Sequence, residues 1–171
     1  MNSSSDRRPS PPMRPDPRER IDGRAVTVWR IAGVLSALAV FAAAGVVIGL
    51  SAADLLPGYA AGAAAGLALA IAVIIVIVVP KVRWMRWRYE VSEDEVYLRH
   101  GLIIRKRVLI PMTRVQHVDT KAGPLLRAFG LSTVTVATAG GEHEIPALSD
   151  EVADHLRDRI AVLARVTEDV V

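Results

Sequence analysis

Residues 31–53 form a run of 23 positions without a charge, and residues 55–80 form another of 26, with Asp54 alone between them. A helix rising about 1.5 Å per residue needs about 20 apolar residues to cross the hydrocarbon of a bilayer. The pattern predicts a membrane protein with a two-helix transmembrane hairpin over residues 28–80, its spans at about 28–50 and 59–79. Pro57 and Gly58 supply turn chemistry between the spans, and Pro80 marks the expected end of the second. A buried pair of core helices is the competing reading, but the rest of the chain is too small to wrap them. The first run is also too long for the core of a signal peptide, and a second span follows at once.

Past residue 88 the apolar period shortens from helical to alternating. Strands are predicted over 89–92 and 96–100, around the acidic turn 93–95, and over 102–111. In that third strand Ile104, Val108 and Ile110 share one face, and Arg105, Arg107 and Leu109 the other. Further strands are expected at 115–120, 133–138 and 143–146, the last two joined by the Gly140-Gly141 hairpin signal. Residues 123–130 read as one helical turn or a tight loop, with Leu125, Leu126 and Phe129 facing inward. Ser149 is a good N-cap, with Asp150 and Glu151 suited to a helix start. Ala153, Leu156, Ile160, Leu163 and Ala164 then make one apolar stripe. Short strands followed by one amphipathic helix imply a mainly-β barrel or curled sheet over 89–171, capped by that helix.

Charge is unevenly placed. Residues 1–30 hold seven Arg and residues 81–88 four Lys or Arg, whereas 89–171 hold 10 basic and 13 acidic side chains. The basic balance belongs to the membrane flanks, so no nucleic-acid partner is expected. Both outer flanks are basic and the loop between the spans has no Lys or Arg, which places both termini in the cytoplasm of a multi-pass plasma or inner-membrane protein. Residues 1–27, rich in Ser, Pro and Arg, read as a disordered basic cytoplasmic tail. Trp29, Arg30, Lys81, Arg83, Trp84, Arg86, Trp87 and Arg88 are the expected membrane-interface residues, those at 81–88 forming a juxtamembrane collar. Inside the spans no ionisable residue stands, which argues against a transport path. Gly45 and Gly49, then Gly58, Gly62 and Gly66, recur at spacing four; chance in Ala- and Gly-rich spans, packing within the hairpin and a dimer seam all remain open.

Four segments carry a family resemblance: YEVSEDEVYLRHGL at 89–102, IPMTRVQHV at 110–118, GPLLRAFGL at 123–131 and VATAGG at 136–141. In this order and spacing they resemble the bacterial pleckstrin-homology-like membrane proteins of the YdbS-like type, formerly a domain of unknown function. The likeness spans about residues 30–166, hairpin included. It implies a PH-like fold, a strongly bent β-barrel capped by the C-terminal helix, and brings no catalytic residues with it.

The residues themselves offer little chemistry. There is no cysteine, nucleophile elbow or phosphate-binding loop, so neither an enzyme nor a cofactor is expected. His117, Asp119, His143 and Glu144 are the tempting metal set, but only the first two share a strand face, and ordinary polar positions are expected. Arg105, Lys106 and Arg107 form the densest cluster in the domain, a contact for lipid or partner, or a solvated face. The expected function is a non-enzymatic membrane-anchored module for protein–protein interaction or self-assembly, with strand addition as a recognition mode. The alternative is a module sensing anionic lipid headgroups.

Overall fold

The computed structural model describes residues 16–168. Two long helices lie side by side. The first, α1 (Ala25–Ala52), turns at Ala53 and Asp54, where Asp54 takes a positive φ of 56°. The second rises from Tyr59 as α2 (Tyr59–Val73), widens into a π-helical turn (Ile74–Val78) and continues as α3 (Val79–Arg86). Each of the two is 28 residues long, with mean hydropathy of 2.5 and 2.9, and only 11% of either apolar window is buried by the protein itself. Leu35, Leu38, Leu67 and Leu69 are among the side chains left exposed, so the hairpin's apolar surface needs a non-aqueous surrounding.

Pro80 does not end the second helix. A proline lacks the donor for the preceding turn and its ring strikes the carbonyl four residues back. Here the π turn, closed by a Val79 N–H to Ile74 carbonyl bond, shifts those carbonyls before Pro80 arrives, and the helix runs on to Arg86. The Ile75 carbonyl would stand 3.0 Å from a Cβ on Gly33 of α1, so the close helix approach is at Gly33. A Cβ at Gly45, Gly49, Gly58, Gly62 or Gly66 would meet nothing within 4 Å; packing inside the hairpin does not explain that series.

The remainder is two three-stranded antiparallel sheets. One has the order β1 (Arg88–Val91), β2 (Glu95–His100), β3 (Lys106–Pro111); the other β4 (Val115–Lys121), β5 (Leu131–Thr138), β6 (Gly141–Ser149). A 3₁₀ turn over Met112–Arg114 joins them, and α4 (Pro124–Ala128) lies between β4 and β5. The expected barrel is not closed: no ladder links the two sheets among the described residues. Their facing sides share one core, in which Val96, Leu98, Leu131, Val134, Val136 and Ile145 are almost wholly buried. The C-terminal helix α5 (Asp150–Glu168) adds Ala153, Leu156 and Ile160 to it, and its start is capped by the Ser149 hydroxyl accepting from Val152 N–H at 3.4 Å.

The N-terminal approach differs from the expected tail. Residues 1–15 lie outside the described residues, but from Asp16 on the chain is docked on the domain. Glu19 and Tyr89 exchange both backbone bonds at 3.1 Å, and Asp22 N–H donates to the Ala147 carbonyl at 3.0 Å. Ile21, Ala25 and Val28 are buried in the same core as the sheets. An apolar Ile21 between polar neighbours gives that segment a place to bury, which its composition as a whole conceals.

Candidate functional site

Two features of the domain meet at the end of the hairpin opposite its connecting loop. One is a cleft along the open side of the two sheets. Its upper half, about 530 Å³, is lined by Arg83 and Trp87, by His100, Lys106 and Val108 of the first sheet, and by Glu142, His143 and Glu144 of the second. A second half of about 540 Å³ runs from His143 past Leu109, Ile110, Arg114 and Gln116. The outer edges of β3 and β6 face this cleft, and neither carries a strand partner there among the described residues.

The floor of the cleft is built from the collar. Trp87 is 6% exposed and its ring stacks on His100, centroids 4.9 Å apart. Burial holds the His100 imidazole below its ordinary titration range, and the positive charge of Lys106, His143 and Arg83 pushes the same way. Trp84 Nε1 donates to the Ile21 carbonyl at 3.2 Å, and Arg83 lies over the Trp29 ring at 4.2 Å. The Trp side chains therefore join the helix ends to the domain. Trp87 in particular faces the core, not the headgroup zone expected of it, because α3 carries its last turn into the domain. Arg30 and Lys81 remain exposed on the helices.

The other feature is a row of arginines on the outer face of the first sheet. Arg88, Arg99 and Arg107 stand directly opposite one another across β1, β2 and β3. Asp16 sets its carboxylate against Arg99 and, at 3.7 Å, against Arg107. The Arg88 guanidinium titrates below its ordinary value through burial first, then through repulsion from Arg20 and Arg99. Arg86 donates to the Leu102 carbonyl, tying the helix end to the loop between β2 and β3. The predicted basic triplet is split: Arg105 lies in that loop, Lys106 turns into the cleft, and Arg107 joins the outer row.

Residues 102–105 are the largest departure from the sequence reading. They were expected to open the third strand; instead Gly101, at φ 122°, folds back on the Ile104 carbonyl, and the strand starts at Lys106. Ile103 and Ile104 are left 90% and 74% exposed. The sequence signal was present in a glycine followed by three apolar residues and three cations, but alternation alone cannot tell a strand from a loop tip. The arginine row needed the strand register, which no single-strand pattern contains.

The metal candidates are not assembled. His117 Nε2 and the Asp119 carboxylate approach to 2.7 Å on exposed β4, whereas His143 and Glu144 belong to the cleft side of β6. Among the described residues no group of three or more such side chains is placed to hold a metal ion.

Comparison with known proteins adds a family. The family model described as bacterial PH domain matches residues 30–164. UPF0699 transmembrane protein YdbS of Bacillus subtilis (strain 168) is 42% identical over 158 residues, covering 92% of this chain and 99% of that protein. UPF0699 transmembrane protein YdbT of the same organism is 30% identical over 83 residues, 46% of this chain and 17% of that protein. No solved structure gives a significant match.

Proposed function

This chain belongs to the bacterial PH domain family, and from that membership and its open-sided domain we propose a membrane-anchored, non-enzymatic interaction module whose cleft takes an extended segment of another protein chain. The hairpin holds the domain at the cytoplasmic face, with both termini inside. The single observation that carries the reading is the pair of β edges, β3 and β6, fronting one cleft. An edge strand offers a row of unpaired backbone donors and acceptors, and a partner strand satisfies them. Side chains along the cleft mix charge, with Arg83 and Lys106 beside Glu142 and Glu144 in one half and Arg114 in the other, which suits selective pairing over general stickiness.

A photo-crosslinking residue at Leu109, on the exposed part of β3, tests this in native membranes. The same residue at Glu151, on the outer side of α5, is the control. The expected result is one discrete adduct from position 109 and none from 151, its mass separating a second copy from a different partner. No adduct at 109, or the same adducts from both positions, overturns the cleft as the binding surface.

A further inference from the structure

The loop between β2 and β3 sits where the second long helix leaves its apolar run. Arg86, the last residue of α3, bonds directly to the Leu102 carbonyl. From Val79 to Arg86 the helix climbs about 10 Å, enough to cross one headgroup layer of about 5–8 Å. Beside this point is a hollow of about 200 Å³ lined by Met85, Arg86, Arg88, Arg99, His100, Gly101 and Arg105. Four arginines therefore line one small space, with Arg86 also donating to the Leu102 carbonyl and Arg88 to the Trp87 carbonyl. Arg88 and Arg99 are opposed in register, a like-charge pairing that Asp16 offsets in part from the side of Arg99. The Asp16 carboxylate against neighbouring Arg99 demonstrates that this face accepts an oxyanion. Guanidinium forks match phosphate oxygens in pairs, which a lone lysine cannot do.

Next to the hollow, Ile103 and Ile104 project almost bare. Adjacent exposed isoleucines on a loop tied to a membrane-spanning helix have an obvious apolar phase within reach. We infer that Arg86, Arg88, Arg99 and Arg105 hold the phosphate of an anionic membrane lipid while Ile103 and Ile104 dip into the acyl layer beside it. A free phosphate would satisfy the arginines but not the isoleucines, so the ligand is the lipid. The inference rests on the hairpin's anchoring and is independent of the cleft.

Two measurements on the full chain test it. The protein has no cysteine, so Ile103→Cys can be labelled alone with a polarity-sensitive dye. In nanodiscs containing phosphatidylglycerol the dye emission should move to the blue and be quenched by lipids brominated on their chains, whereas a label at Glu151→Cys stays in water. Emission at 103 matching that at 151 overturns the insertion. In detergent, native mass spectrometry should find phosphatidylglycerol retained over phosphatidylcholine, and R99Q/R105Q should weaken that retention roughly 30-fold. Equal retention of the two lipids, an unchanged R99Q/R105Q variant, or saturable binding of inorganic phosphate in place of the lipid overturns the phosphate site. The dye measurement needs no arginine variant and stays decisive if that variant fails to fold.

Discussion

His100 shows how one residue reports its surroundings. Its ring is stacked on buried Trp87 and faces Lys106, His143 and Arg83, so the charged form is disfavoured in the native state. The unfolded chain, with an ordinary imidazole near 6.5, takes up the proton first as pH falls. Protons bound by the unfolded state and not by the native one make stability rise with pH. His100 is thus neutral at pH 7, and its contribution is complete above about 6.5 and declines as pH drops below it. Thermal unfolding in detergent should show a midpoint that falls between pH 7.5 and 5.5, and H100Q should remove part of that slope; an identical slope in the variant would contradict the assignment. The tryptophans at 84 and 87 were visible in the sequence as a collar, but their direction was not. A Trp beside arginines suits a headgroup layer and a domain core equally well, and only the extra turns of α3 decide between them.

At the scale of elements, the second long helix is the instructive case. Pro80 reads as a stop because its ring and missing donor break a regular α-helix. The π turn before it removes the conflict, leaving the Ile75 carbonyl turned toward Gly33. That close approach makes opposite predictions for two glycines. G62A adds a methyl into open space and removes backbone freedom, so it should leave the hairpin as stable or raise it by about 0.5–1 kcal/mol. G33A pushes a methyl against a backbone carbonyl that cannot swing aside and should lower stability by about 1–3 kcal/mol. Unfolding of both variants in the same detergent checks the difference; equal stabilities would mean the helices do not touch at residue 33. The strands and α5 were legible because alternation and an apolar stripe follow directly from their geometry, as Ala153, Leu156 and Ile160 demonstrate. The loop at 102–105 was not, since its apolar residues imitate a strand. Nor was the packing of Ile21, one apolar side chain in a polar stretch.

The whole molecule is less divided than its sequence suggests. Hairpin and domain do not meet through a flexible linker: Ile21, Ala25 and Val28 from the N-terminal approach share a core with Trp87, Tyr89 and the sheets. A fragment beginning at residue 89 would leave out the first four of these, so the domain is best studied in the full chain. This shared core also fixes the orientation of the cleft and the arginine face relative to the helix ends, and both proposed roles depend on it. Both roles require two spans with the folded part facing the cell interior. Single cysteines placed at Asp54, in the loop between the long helices, and at Glu151, on α5, can be probed in intact cells with a thiol reagent that does not cross the membrane. Labelling of position 54 in intact cells, and of position 151 only after the cells are broken open, is the predicted result. Labelling of position 151 in intact cells, with 54 protected, would contradict it.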